Sequence, residues 1–160
     1  MTICHVDFCS REEAQTHAGH YATALISITD PDSPAAALAD GYFSVLRTSF
    51  HDILESIDGY RLFDRSEAER LVLYLNWLHS LPDEIRLLCH CEAGVSRSAA
   101  VAVFAAALSK AVFPRFLHAT LSNRHVLRTL NACEPVVDAR APEPDPDALA
   151  RIERLMQFSS

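Results

Sequence analysis

Two stretches of this chain are apolar almost without relief, and they lie close together. Ile85 to Cys89 is interrupted only by Arg86, and Ser98 to Leu108 is alanine-rich and apolar on every side. A short run of the first kind fits a strand buried on both faces. A helix with no polar face must be buried as well. A strand and a helix that both demand cover, joined by one loop, require a layered α/β core. The 160 residues are enough for one domain with one such core.

The flanking segments extend this pattern. Thr2 to Phe8, Ala24 to Ile28 and Ser44 to Phe50 read as strands. Thr29 to Pro34, with two prolines and two aspartates, reads as a loop. Ser10-Arg11-Glu12-Glu13 and Ser66-Glu67-Ala68-Glu69 have capping-box spacing. After the second box, Ala68, Leu71, Val72, Leu75 and Leu78 recur at helical intervals, and the helix should stop at Leu81-Pro82. His51 to Asp64 reads as irregular. Phe116 to Leu130 predicts one helix with Arg124, His125 and Arg128 on its polar side. A proline-rich link over 140–146 separates it from a C-terminal helix, Asp147 to Phe158. The expectation is an α/β single domain over 1–160, with a central, mostly parallel sheet flanked by helices.

Charge and cysteine content narrow the function. Fourteen Lys and Arg against 21 Asp and Glu leave a net charge of −7. That argues against a protein whose task is to neutralise nucleic acid or anionic membrane. The longest apolar run, Ala99 to Leu108, is about half of the roughly 20 residues a membrane span needs. The start, Met1-Thr2-Ile3-Cys4-His5, has no signal-peptide pattern. Five cysteines, odd in number and not spaced as a framework, favour a reduced, cytoplasmic protein. A monomer is expected.

The loop His90-Cys91-Glu92-Ala93-Gly94-Val95-Ser96-Arg97-Ser98 carries the chemistry. It runs from the buried strand into the buried helix, where α/β sheets bind ligands. Unpaired N–H groups and the dipole at a helix start make an anion site. Gly94 is one of only four glycines, and it supplies the freedom a tight anion-wrapping turn needs. Arg97 offers a planar fork to two oxygens of a tetrahedral oxyanion. Cys91 faces the same positive field, which favours the thiolate, a nucleophile toward phosphorus. Cys89-His90-Cys91 is only a partial metal-ligand set, so no metal site is expected. Cys89 reads as a core residue of the strand.

The string resembles the signature of the cysteine-based protein tyrosine phosphatase superfamily, H-C-x-x-G-x-x-R-S/T, at His90, Cys91, Gly94, Arg97 and Ser98. Its Gly-Val-Ser-Arg-Ser flavour is most similar to the dual-specificity branch. The resemblance implies a phosphomonoester hydrolase acting on phosphoproteins, phosphotyrosine first, through a phosphocysteine on Cys91. It implies that Arg97 and the amides from Glu92 through Ala93, Gly94, Val95 and Ser96 hold the phosphate. Ser98 would assist departure of the sulfur, and His90 would tune the thiolate from behind. No metal or cofactor is implied. An aspartate upstream of the cysteine would serve as general acid and base; Asp52 is the first candidate, with Asp58 and Asp64 as alternatives and His51 as a residue that could orient Asp52. An acidic Glu92 disfavours highly charged inositol phosphates. Downstream, Leu121 to His125 and Cys133 to Pro135 depart from the branch's Arg-Pro and Pro-Asn. Two other readings of the same residues are a catalytically weak phosphate-binding scaffold and a Cys-x5-Arg arsenate reductase.

Overall fold

The computed structural model describes residues 2–147 together with Ala150, Arg151 and Arg154. Four strands, β1 (Ile3–Ser10), β2 (Thr23–Thr29), β3 (Ser44–Ser49) and β4 (Ile85–Cys91), form one sheet in the order β1-β4-β2-β3. Every neighbouring pair is parallel. The carboxyl ends of all four strands therefore share one end of the sheet, which is where Cys91 emerges. All seven residues of β2 are buried, as expected of a strand covered on both faces. β3 alternates between sheltered and exposed positions because it is an edge. The opposite edge, β1, is partly sealed by Val112, which exchanges backbone bonds with Cys4 and Val6.

Helices α1 (Arg11–Thr16), α2 (Arg65–Ser80), α3 (Arg97–Ser109) and α4 (Arg124–Cys133) complete the layers. α3 lies on β1 and β4, and α4 packs against both α2 and α3. Their apolar sides join Ile26, Ile28, Leu87 and Cys89 in the main core. On the other face α1 contributes Ala14 to a smaller cluster with Cys9, Leu25 and Leu88. Nine of the thirteen α3 residues from Arg97 to Ala105 are buried in an unbroken run, which is why its sequence needs no polar side.

The predicted elements differ in detail for identifiable reasons. Ser10 caps α1 as its spacing suggested, accepting from Glu13 N–H at 3.1 Å. α2 starts one residue before the Ser66 box, because the Asp64 carboxylate accepts from Glu67 N–H at 2.9 Å. Glu67 is then at the third helical position, and its side chain turns away to Thr48, Arg61 and Arg70. The single helix expected over Phe116 to Leu130 is broken. Phe116–His118 is one tight 3-10 turn, and Asn123 caps a separate helix by accepting from Val126 N–H at 3.0 Å. β4 runs on through Cys91, since its pairing with β1 persists to Ser10. The segment from Ala141 to Asp145 is irregular, in keeping with its prolines. The C-terminal helix expected over 147–158 lies largely outside the described residues. Among the described residues, no helix is long and apolar enough to cross a membrane.

Candidate active site

Between β4 and α3 the chain turns through Glu92 to Ser96. Gly94 has φ +68°, and a Cβ there would overlap the backbone of Cys9 and Ser10. The loop is thus folded tightly against the end of β1. Arg11, the first residue of α1, holds its near side. Its backbone N–H donates to Glu92 O at 3.2 Å, and its Nη1 donates to Glu92 Oε1 at 2.9 Å. The Glu92 charge is therefore paired, which weakens its expected discouragement of polyanions.

The loop holds an excess of donors. Among the described residues, no backbone N–H from Glu92 to Arg97 bonds to another group of the protein. α3 has no side-chain cap, because the Ser96 hydroxyl donates instead to Asp52 Oδ1 at 2.8 Å. Arg97 is 4% exposed. Its Nη1 donates to Asp30 Oδ1 at 2.7 Å and to Phe50 O at 2.6 Å, while its Nε is buried without a partner. Buried donors are almost always satisfied. A run of free amides at a helix start, with an orphan guanidinium N–H on the same loop, has the chemistry to hold an oxyanion.

Cys91 is 2% exposed, and its Sγ lies 3.1 Å from the fully buried Ser98 Oγ. His90 is fully buried. Its Nδ1 donates to Cys91 O at 3.3 Å, since a carbonyl can only accept, so the neutral ring's Nε2 accepts from Ser27 Oγ–H at 2.6 Å. Burial, the main cause, pushes the His90 pKa below its usual value. The unfolded chain then binds a proton at a pH where the folded one does not, so stability falls as pH drops below about 6.5. We expect the midpoint of urea unfolding to decrease between pH 7 and pH 5, and part of that slope to vanish in His90→Gln. A variant with the full wild-type slope would show that other groups cause it.

Of the three candidate aspartates, Asp52 alone reaches the loop. Besides the Ser96 bond, its Oδ1 accepts from Asn123 Nδ2 at 2.7 Å. Asn123 also donates from its backbone to Ser96 O at 3.1 Å and from Nδ2 to Ile53 O at 3.2 Å. One buried residue, through its backbone N–H and its side-chain amide together, thus ties the loop, Asp52 and the start of α4. Asp64 is the α2 cap, and Asp58 is exposed. His51 closes the base of the Asp52 segment: its N–H donates to Arg61 O, and its Nδ1 accepts from Arg61 N–H, both at 2.8 Å.

All five cysteines are free. Burial pushes the Cys9 thiol up to about 12 and the Cys89 thiol well above its ordinary value. Both are therefore inert core thiols at neutral pH, as the strand reading of Cys89 requires. Among the described residues, no group of three or more His, Cys, Asp or Glu side chains converges as a metal site would.

Sequence reasoning did not find Asp30, Ser27, Arg11 or Asn123. The first three reach the loop only through sheet pairing and a helix start far along the chain. Asn123 carried a local signal, an N-cap residue before an apolar-periodic run, inside the segment that departs from the dual-specificity pattern.

No protein-family model and no curated protein matches the chain. Solved structures that resemble it include a single-substitution variant of human DUSP28, at 17% identity and a TM-score of 0.45, covering 100% of this chain and 99% of that one. Human DUSP28 itself resembles it at 19% identity and a TM-score of 0.44, covering 97% of this chain and 95% of that chain.

Proposed function

We propose that the protein is a cysteine-dependent phosphomonoester hydrolase of phosphoproteins, acting on phosphotyrosine through a phosphocysteine. The observation that carries this reading is the donor excess between Cys91 and Arg97. Unpaired loop amides and the orphan Arg97 Nε follow directly on one thiol, where the loop enters a helix. Such an arrangement binds a tetrahedral dianion and strengthens its grip as charge moves onto the equatorial oxygens.

In the first step the Cys91 thiolate forms an S–P bond, and the P–O bond to the leaving group breaks. Asp52 gives its proton to that oxygen. Two donors already occupy Asp52 Oδ1, so the transferable proton belongs on Oδ2. In the second step Asp52 takes a proton from water, the water oxygen attacks phosphorus, and the S–P bond breaks. The Ser98 hydroxyl, at 3.1 Å, donates to the departing sulfur. Arg97 holds two phosphate oxygens throughout. A neighbouring cavity of about 320 Å³ is lined by Asp52, Ser96, Leu54 and Leu121. The two leucines supply the apolar flank an aryl ring requires, which favours phosphotyrosine. Five free cysteines fit a reducing compartment, so we place the protein in the cytoplasm.

The test is hydrolysis of p-nitrophenyl phosphate and of a phosphotyrosyl peptide against pH, in EDTA. The rate should trace a bell against pH, as a nucleophile working with a general acid requires. Asp52→Asn should remove the falling limb and lower kcat for the peptide by about 10²-fold. The loss should be smaller for p-nitrophenyl phosphate, whose leaving group departs without a proton. An unchanged rate and profile in Asp52→Asn would refute the acid assignment. No turnover by reduced wild-type protein would refute the hydrolase reading.

A further inference from the structure

A groove of about 820 Å³ runs between α4 and the segment 138–144. On the α4 side it is lined by Arg124, Leu127, Arg128 and Asn131, spaced i, i+3, i+4, i+7 along one face of the helix. A single side chain holds the opposite wall in place. Asn131 Nδ2 donates to Ala139 O at 2.9 Å, and Ala139 N–H donates to Asn131 Oδ1 at 3.0 Å. The groove is thus formed before any ligand arrives, which lowers the ordering cost of filling it.

The groove is continuous with the cavity beside Asp52. Thr120, Leu121, Ser122 and Arg124 line both. A leaving group lying against Leu54 and Leu121 therefore sits where the one space opens into the other. The floor is apolar: Leu127 is 8% exposed and Ala139 3%. Pro142 and Pro144 add rings that have no N–H to offer a ligand. Charge is mixed, with three arginines and two carboxylates in the lining, and Arg140 is already paired with Asp138 at 2.7 Å. An apolar side chain is the ligand this floor suits best, since its burial is favourable in proportion to the area removed from water.

We propose that the groove takes the polypeptide of a phosphoprotein substrate, anchored by one apolar side chain about three to five residues from the phosphotyrosine. The spacing follows from the helix. Arg124 to Asn131 covers about 10 Å of helix axis, a length an extended chain spans in about three residues. The proposal rests on the hydrolase reading and names the substrate class which that site selects. The anchor contributes to substrate binding and appears in KM.

The test uses phosphotyrosyl peptides of alanine and serine in which one leucine is moved, position by position, along both sides of the phosphotyrosine. Wild-type protein should favour leucine about three to five residues away on one side, by about tenfold in kcat/KM and mostly through KM. Ala141→Trp, which fills the groove, should erase that preference. It should leave the rate on p-nitrophenyl phosphate unchanged, because that substrate has no chain to place there. Val136→Trp adds the same bulk at an exposed position outside the groove and should retain the preference. Should Ala141→Trp not fold, Asn131→Ala, which releases the wall, carries the same expectation. Equal kcat/KM at every leucine position, or a preference that survives both groove variants, would overturn the proposal and leave the hydrolase reading standing. So would a dimer in sedimentation that Ala141→Trp dissociates, with no leucine preference, because the groove would then hold a second copy of the chain. Peptide binding to Cys91→Ser protein, read by fluorescence anisotropy, separates the two ideas. Leucine-dependent binding that Ala141→Trp removes, with no turnover by wild type, would support the groove and sink the hydrolase.

Discussion

Cys91→Ser should bind tungstate about as well as the wild type and should hydrolyse nothing. The substitution leaves Arg97, Asp30 and the free amides of residues 92–97 in place, so the oxyanion site persists. Serine is close in shape to cysteine, and the site is already buried at 2% exposure, so folding should be unaffected. The serine hydroxyl is not ionised at neutral pH, and Ser98 beside it is a second hydroxyl rather than a base. Nothing within hydrogen-bond reach of the new oxygen can take its proton. Losing a nucleophile in a concerted site costs on the order of 10⁴-fold or more. Calorimetric titration with tungstate and a steady-state assay decide the matter together. Residual turnover within tenfold of wild type would place the nucleophile elsewhere. Loss of tungstate binding would mean that the sulfur itself, and not the loop, recognises the anion.

Arg97→Lys should be nearly as damaging as Arg97→Ala, although it keeps the charge. The guanidinium has separate tasks on separate nitrogens. Nη1 serves Asp30 and Phe50 O, and Nε is buried and free. An ammonium group has one nitrogen and no fixed fork. In this position a lysine would satisfy Asp30, its nearest carboxylate, and leave the phosphate without its planar pair of donors. Removing one donor to a developing oxyanion costs about 10²–10³-fold in kcat. Both variants should therefore lose about 10³-fold in kcat/KM, with the lysine variant recovering little of it. Near-wild-type activity in Arg97→Lys would show that charge alone, without the fork, does Arg97's work.

The site was legible in the sequence where its parts are neighbours along the chain. Cys91, Gly94, Arg97 and Ser98 lie within one loop, and an apolar strand and an apolar helix fix where that loop sits. Asp52 was legible because it follows a predicted strand, although its tie to Ser96 and Asn123 was not. What could not be read depends on pairing. Asp30 meets Arg97 only because β2 lies beside β4, an order that β-strand periodicity does not specify. Arg11 meets Glu92 because β1 runs to the end of β4 on its other side. The break before α4 falls between two apolar stretches, Phe116 to Leu121 and Val126 to Leu130, that read together as one helix. The Asn123 cap, not the hydrophobic pattern, decides that boundary.

Among the described residues β4 is the last strand in sequence, yet it sits between β1 and β2. During synthesis β2 and β3 can pair first, but β1 has no strand neighbour until β4 has left the ribosome, so the sheet is completed late, by β4. Loops of this length are entropically costly to close, which makes the strand a late, cooperative element rather than an early seed. Once in place it cannot fray, because both its edges are bonded. The amides of Leu87 to Cys89 should exchange with solvent only when the whole domain opens. The proposed nucleophile thus hangs from one of the two interior strands of the sheet, and any reagent that modifies Cys91 in the native protein must arrive from the loop side.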